Sequence, residues 1–134
     1  MSVFLDSSAI VAYYNKRDQH HERAIEILTE VFNEKYGLIY TSDYILDESV
    51  TVAWMRTKSK DIAINLGERL LFSEINLIMV TRELVDKTWE LYRKEKNPSF
   101  TDCSTAVLMK ENAIEKIMTF DKGFNKFKGM KVIQ

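Results

Sequence analysis

Four acids in this 134-residue sequence stand where carboxylates could work together: Asp6, Glu48, Asp102 and Asp121. Asp6 ends the apolar run Val3-Phe4-Leu5, and Asp121 ends Ile117-Met118-Thr119-Phe120. Glu48 shares the stripe Ile45–Glu48–Val52–Met55, although Asp47 beside it makes periodicity a poor arbiter between the two. Asp102 follows Ser99-Phe100-Thr101. Carboxylates held close together repel strongly unless they are protonated or share a cation. Hard oxygen donors suit Mg2+ or Mn2+, which bind one or two carboxylates together with waters and substrate phosphate oxygens. Such an ion activates water and neutralises charge on a phosphate being cleaved, and two ions can clamp the attacking and leaving oxygens. Taken singly, each acid has a second explanation. Asp6, Asp102 and Asp121 stand where helices begin, and an acid there contributes about 0.5–2 kcal/mol of helix stability. Glu48 could be a helix-flank acid.

The elements that must position these acids alternate between strand and helix. Val3–Leu5 reads as a strand stopped by Asp6-Ser7-Ser8, followed by a short apolar helix from Ala9 to Tyr14. A long helix is expected from about His20 to Tyr36, with apolar positions at helical spacing and Gly37 closing it. Leu38–Tyr40 is a second strand, and Thr41 or Ser42 can cap a helix over Asp43–Arg56. Lys58–Phe72 reads as its partner helix, and Asn76–Val80 as a third strand. Thr81 caps a helix over Arg82–Lys94, and the Asn97-Pro98 break precedes another from Thr101 to Asn112. Lys116–Phe120 and Met130–Ile133 complete the strands. Strands separated by helices imply an α/β fold, a three-layer α/β/α sandwich around a five-stranded, mostly parallel sheet, as one domain over residues 1–134. Ligands of such sheets bind beyond the carboxyl ends of the strands, and parallel strands would deliver Asp6 and Asp121 to the same edge.

With those elements in place, the sequence resembles the PIN-domain ribonucleases over nearly its whole length. The resemblance rests on Asp6-Ser7-Ser8 after the first strand, Glu48 in a mid-chain helix, Ser99-Phe100-Thr101-Asp102, and Thr119-Phe120-Asp121-Lys122-Gly123-Phe124. Prokaryotic members of this size are largely VapC-type toxins of toxin–antitoxin pairs. The resemblance implies a five-stranded parallel sheet, Mg2+- or Mn2+-dependent cleavage of RNA, and Asp6, Glu48, Asp102 and Asp121 as the metal-binding acids. Ser8 is similar to the hydroxyl residue that supports the first aspartate, and Thr119 matches another polar position near the site. It further implies a cognate antitoxin protein and a homodimer. A housekeeping PIN nuclease, or an inactive PIN-like RNA-binding scaffold, would share most of these features.

Composition is compatible with that expectation. At 46% apolar and 29% charged the chain can bury a core without staples, and one cysteine excludes an internal disulfide, which suits a reducing cytoplasm. No apolar run approaches the roughly 20 residues of a membrane span. A net charge of −1 does not advertise a polyanion partner, yet Lys122, Lys126, Lys128 and Lys131 follow Asp121 with no acid among them. Lys122, with Lys58, Lys60 and Arg56 near the expected interhelical turn, are candidate RNA contacts, as are Arg93, Lys94 and Lys96, although solvated helix ends explain the helical ones equally well.

Other chemistries fit less well. His20 and His21 would point about 100° apart on a helix and chelate poorly. Cys103 has no paired base and reads as a buried apolar residue. A phosphoacceptor receiver domain needs an aspartate after the third strand, where Val80-Thr81-Arg82 stands. A haloacid-dehalogenase-like phosphatase needs an acid two residues after Asp6, where Ser8 stands.

Overall fold

A computed structural model describes all residues, Met1–Gln134. In chain order it contains β1 (Ser2–Leu5), α1 (Ser7–Tyr14), α2 (His21–Phe32), β2 (Leu38–Ser42), α3 (Asp43–Thr57), α4 (Lys60–Phe72) and β3 (Asn76–Ile78). These are followed by α5 (Arg82–Lys94), α6 (Phe100–Glu111), β4 (Lys116–Met118), a 3-10 turn (Lys122–Lys126) and β5 (Lys131–Ile133). The strands form one sheet in the order β3-β2-β1-β4-β5, and every neighbouring pair is parallel. This is the α/β sandwich expected, with six helices flanking a five-stranded sheet.

The topology follows from burial. Val3, Phe4 and Leu5 are at most 1% exposed, as an unbroken apolar run must be when helices cover both faces of its strand. From β1 the chain steps outward to β2 and β3, then returns to the other side of β1 for β4 and β5. Right-handed crossovers running in opposite directions place their helices on opposite faces. Accordingly α1 to α4 pack with one another, and α5 packs against α6. The reversal of direction occurs between β1 and β4, which opens a crevice at their carboxyl ends.

Several boundaries differ from expectation. The second helix stops at Phe32 instead of Tyr36, because Glu34 takes φ 65° and breaks the helical path. Gly37 therefore does not cap it. Gly37 has φ 79° at the entry to β2, where any Cβ would collide with the Met1 carbonyl, and the next residue, Leu38, donates its N–H to that oxygen (3.1 Å). Lys58 is a left-handed cap ending α3, so α4 starts later, at Lys60, with Ser59 accepting from the Ile62 N–H. The sixth helix begins at Phe100 because Ser99, ahead of it, is the cap. Strands β3 and β4 end two residues early, and the turn after Asp121 was not expected.

Candidate functional site

Asp6 leaves β1 at the crevice and occupies the N-cap position of α1. Its carboxylate does not cap that helix by a hydrogen bond, so the capping explanation fails for this residue. Instead Oδ2 accepts from Thr119 Oγ1 (2.6 Å) and Ser8 Oγ (3.0 Å). The same two hydroxyls accept backbone N–H groups: Asp121 donates to Thr119 (3.0 Å) and Phe120 donates to Ser8 (2.9 Å). Each hydroxyl has one proton and gives it to Asp6, so the 3.1 Å approach of Ser8 to Thr119 carries no donor of its own. Two backbone amides beyond β4 thus fix the orientation of the first aspartate, at a distance of more than a hundred residues in sequence.

Asp6 is only 3% exposed. Burial raises its pKa to about 6 against the lowering effect of the Thr119 and Ser8 hydroxyls, and the Asp102 charge pushes it further upward. Asp102 is also raised, first by burial, then by Asp121, with Glu48 adding to it against the Ser99 hydrogen bonds. The four acids expected to act together therefore meet electrostatically through Asp102.

Each is held by a different local device. Glu48 is the half-buried member of the Asp47–Glu48 pair, and its Oε1 accepts a short hydrogen bond from Ser7 Oγ, made possible by the packing of α1 on α3. Asp102 is the third residue of α6 and forms a capping box with Ser99: the Ser99 N–H donates to Oδ2 (3.3 Å) and the Asp102 N–H to Ser99 Oγ (3.0 Å). Asp121 caps the 3-10 turn, its Oδ1 accepting from the Gly123 N–H (2.8 Å). A Cβ on Gly123 would lie 3.1 Å from that oxygen, so the small residue lets the turn fold tightly onto the carboxylate. For Asp102 and Asp121, capping and an electrostatic link between the two acids coexist.

The close hydrogen bonds to each carboxylate fall on one oxygen: Oδ2 of Asp6 and Asp102, Oε1 of Glu48, Oδ1 of Asp121. None of the four lies within ion-pair distance of a lysine or arginine. No three acidic, histidine or cysteine side chains are drawn together tightly enough to form a ready-made cage. Hard oxygen donors, one uncommitted oxygen on each acid, no protein cation and a loose spacing fit a hydrated divalent ion such as Mg2+, which dehydrates reluctantly. They fit a soft or tetrahedral metal poorly.

Sequence alone does not single out Ser7 and Ser99 as site residues. Ser99 is legible from its capping-box spacing, whereas the Ser7–Glu48 bond depends on tertiary packing. His20 precedes α2 instead of lying on it, and the two histidines have different partners. His20 stacks on Phe120 (centroids 4.4 Å apart, planes 5° apart), and His21 Nδ1 meets the Ala12 carbonyl at 2.7 Å. Cys103 is fully buried, and burial, with the Asp102 charge, pushes its thiol pKa up. Lys122 adjoins Asp121, whereas Lys58 lies ten residues beyond Glu48, about 15 Å along the axis of α3. Lys60 sits over the Trp54 ring at 5.9 Å. A cavity of about 450 Å³ borders Glu48, lined also by Tyr44, Thr51, Phe100 and Thr101. An apolar cavity of about 480 Å³, bounded by Met109, Ile114 and Phe127, lies toward the opposite end of the sheet.

The PIN domain family model matches residues 3–130. The chain is 25% identical over 129 residues to a VapC ribonuclease of Archaeoglobus fulgidus, covering 93% of this chain and 80% of that one. It is 25% identical over 125 residues to the 23S rRNA-specific endonuclease VapC20 of Mycobacterium tuberculosis, covering 92% of each. The fold superimposes on the crystal structure of M. tuberculosis VapC20 with a TM-score of 0.86 at 23% identity, covering 98% of this chain and 99% of that one. A VapBC2 structure from Rickettsia felis, bound to a promoter DNA fragment, matches with a TM-score of 0.68 at 17% identity, covering 99% and 98%. No helix is long and apolar enough to cross a membrane.

Proposed function

This chain belongs to the PIN-domain family, and from that premise we propose that it is a divalent-metal-dependent ribonuclease acting as the toxin of a toxin–antitoxin pair. The observation that carries this reading is the set of four carboxylates at the β1–β4 crevice, none neutralised by a lysine or arginine. Asp6, Glu48 and Asp102 would hold Mg2+ or Mn2+ through their uncommitted oxygens. When bound, the ion would supply Lewis acidity toward water and toward the scissile phosphate. The chain's own residues supply orientation. Ser8 and Thr119 fix the Asp6 carboxylate, Ser7 fixes Glu48, and the capping box fixes Asp102. Asp121, held by the Gly123 N–H through Oδ1, would orient the attacking water or complete a second ion site.

Two partners are proposed: a cognate antitoxin protein, in line with the VapBC2 match, and a second copy of this chain, which the family resemblance implies. The exposed apolar residues Ile64, Leu71 and Phe72 on α4, with Trp54 and Met55 on α3, offer surface for such a partner. The test is cleavage of RNA by purified protein with Mn2+ or Mg2+. Activity should disappear in EDTA and fall by about 10³-fold or more in Asp6→Asn, roughly 4 kcal/mol of barrier. Undiminished cleavage by Asp6→Asn, with contaminating nuclease excluded, would sink the assignment.

A further inference from the structure

A site made of four carboxylates repels the polyanion it is proposed to cut, so the substrate must be held by cations elsewhere on the molecule. Most of the chain offers few. Residues 1–115 carry fourteen lysines and arginines against nineteen acids, whereas residues 116–134 carry five lysines against Asp121 alone. Seven of the fourteen are in ion pairs: Arg23, Lys35, Arg56, Arg69, Arg82, Lys87 and Arg93. None of the five terminal lysines is.

The fold arranges those five as a track. Lys122 follows Asp121 at the crevice, Lys126 ends the 3-10 turn, and Lys128 and Lys131 lead into β5, the edge strand of the sheet. All four are exposed. Lys131 is in register with Lys116 on β4, five residues before Asp121, which places it about 16 Å from the crevice along the strand direction. Register partners on parallel strands present their side chains to the same face, so Lys116 and Lys131 stand side by side with no counterion. Like charges placed this way destabilise a sheet. A polyanion lying along the track removes that penalty.

We infer that the strand of RNA flanking the cleaved bond lies along Lys122, Lys126, Lys128 and Lys131, running from the crevice down the β5 edge. The inference rests on the ribonuclease reading and adds the direction in which the substrate leaves the site. Charge complementarity and continuity with Asp121 favour a nucleic-acid strand over an acidic protein segment, whose capture is made an outcome of the test.

The test measures binding of a short oligouridylate to Asp6→Asn protein, which holds substrate without cutting it, as a function of KCl. Removing one lysine that neutralises a phosphate should reduce the slope of log K against log[salt] by about 0.7 for a single strand. The triple variant Lys126→Gln, Lys128→Gln, Lys131→Gln should therefore lower the slope by about 2. A control triple, Lys16→Gln, Arg17→Gln, Lys35→Gln, changes net charge equally and should leave the slope nearly unchanged; thermal unfolding checks that both triples fold. An unaltered slope in the first triple, or equal flattening in both, overturns the inference. So does unaltered RNA binding with loss of binding to polyglutamate, which would assign the track to an acidic protein. Wild-type cleavage of RNA with Mn2+ is measured in parallel. Cleavage with an unaltered slope removes the track alone; no cleavage and no RNA binding by any form removes the ribonuclease reading with it.

Discussion

Charges on the outer face of α5 and charges at the β1–β4 crevice are treated in opposite ways by the same chain. On α5, Arg82 pairs with Asp86 (3.0 Å), Lys87 with Glu111 (2.7 Å) and Glu83 (3.4 Å), and Arg93 with Glu90 (3.6 Å). These are solvated pairs at helical spacing or across to α6, of the kind that contributes little to stability. At the crevice four carboxylates share no cation of the protein, and the most buried of them is held above its ordinary pKa. Neutralisation is therefore present where it matters little and absent where it would matter most. A chain selected only for stability would have done the reverse, and the difference supports the role proposed for the crevice.

The comparison breaks most visibly at Asp6. Its folded pKa of about 6 lies above the ordinary 3.8, so between those values the native state keeps a proton that the unfolded state has released. Stability from this group is accordingly full below about pH 4, falls as pH rises through the window, and stays low above it. The rise from 3.8 to about 6 corresponds to about 3 kcal/mol at neutral pH. Asp6→Asn, neutral at all pH values, should therefore be more stable than wild type in EDTA at about pH 7.5, by up to about 3 kcal/mol, and should lose that advantage near pH 4. Denaturant unfolding at both pH values reads the gap; an Asn variant less stable at neutral pH contradicts the account.

A smaller effect is expected at Thr119. Thr119→Val keeps the shape of a fully buried side chain but removes one of two hydroxyls on Asp6 and leaves the Asp121 N–H without its acceptor. Destabilisation of about 1–3 kcal/mol should appear in urea unfolding. The smallest effect belongs to the other region. Lys87→Ala removes two ion pairs from α5 and should leave the melting temperature within experimental scatter. A large drop there would mean that the surface pairs are structural and that the two regions do not differ as described.

Much of this fold and site is legible in the sequence, for physical reasons that also mark where legibility stops. The Val3-Phe4-Leu5 run reads directly as a central strand, because a strand buried on both faces needs no alternation. The parallel rule then places Asp6 and Asp121 on one edge without any coordinates. Periodicity cannot separate Glu48 from Asp47, and the selection of Glu48 depends on Ser7, 41 residues away, across the α1–α3 contact. The second helix reads too long because Glu34 has ordinary helical propensity; its φ of 65° is imposed by the return of the chain to β2. The stack of His20 on Phe120 leaves no periodic trace, since neither residue lies in a regular element.

The central claim is that the crevice is a cation site whose key is Asp6, and calorimetric titration with Mn2+ near neutral pH tests it most directly. Wild-type protein should bind Mn2+ saturably and, at 100 times the dissociation constant, gain about 2.7 kcal/mol of stability, while Asp6→Asn should do neither. Equal Mn2+ binding by the two proteins, or none by wild type, would contradict it.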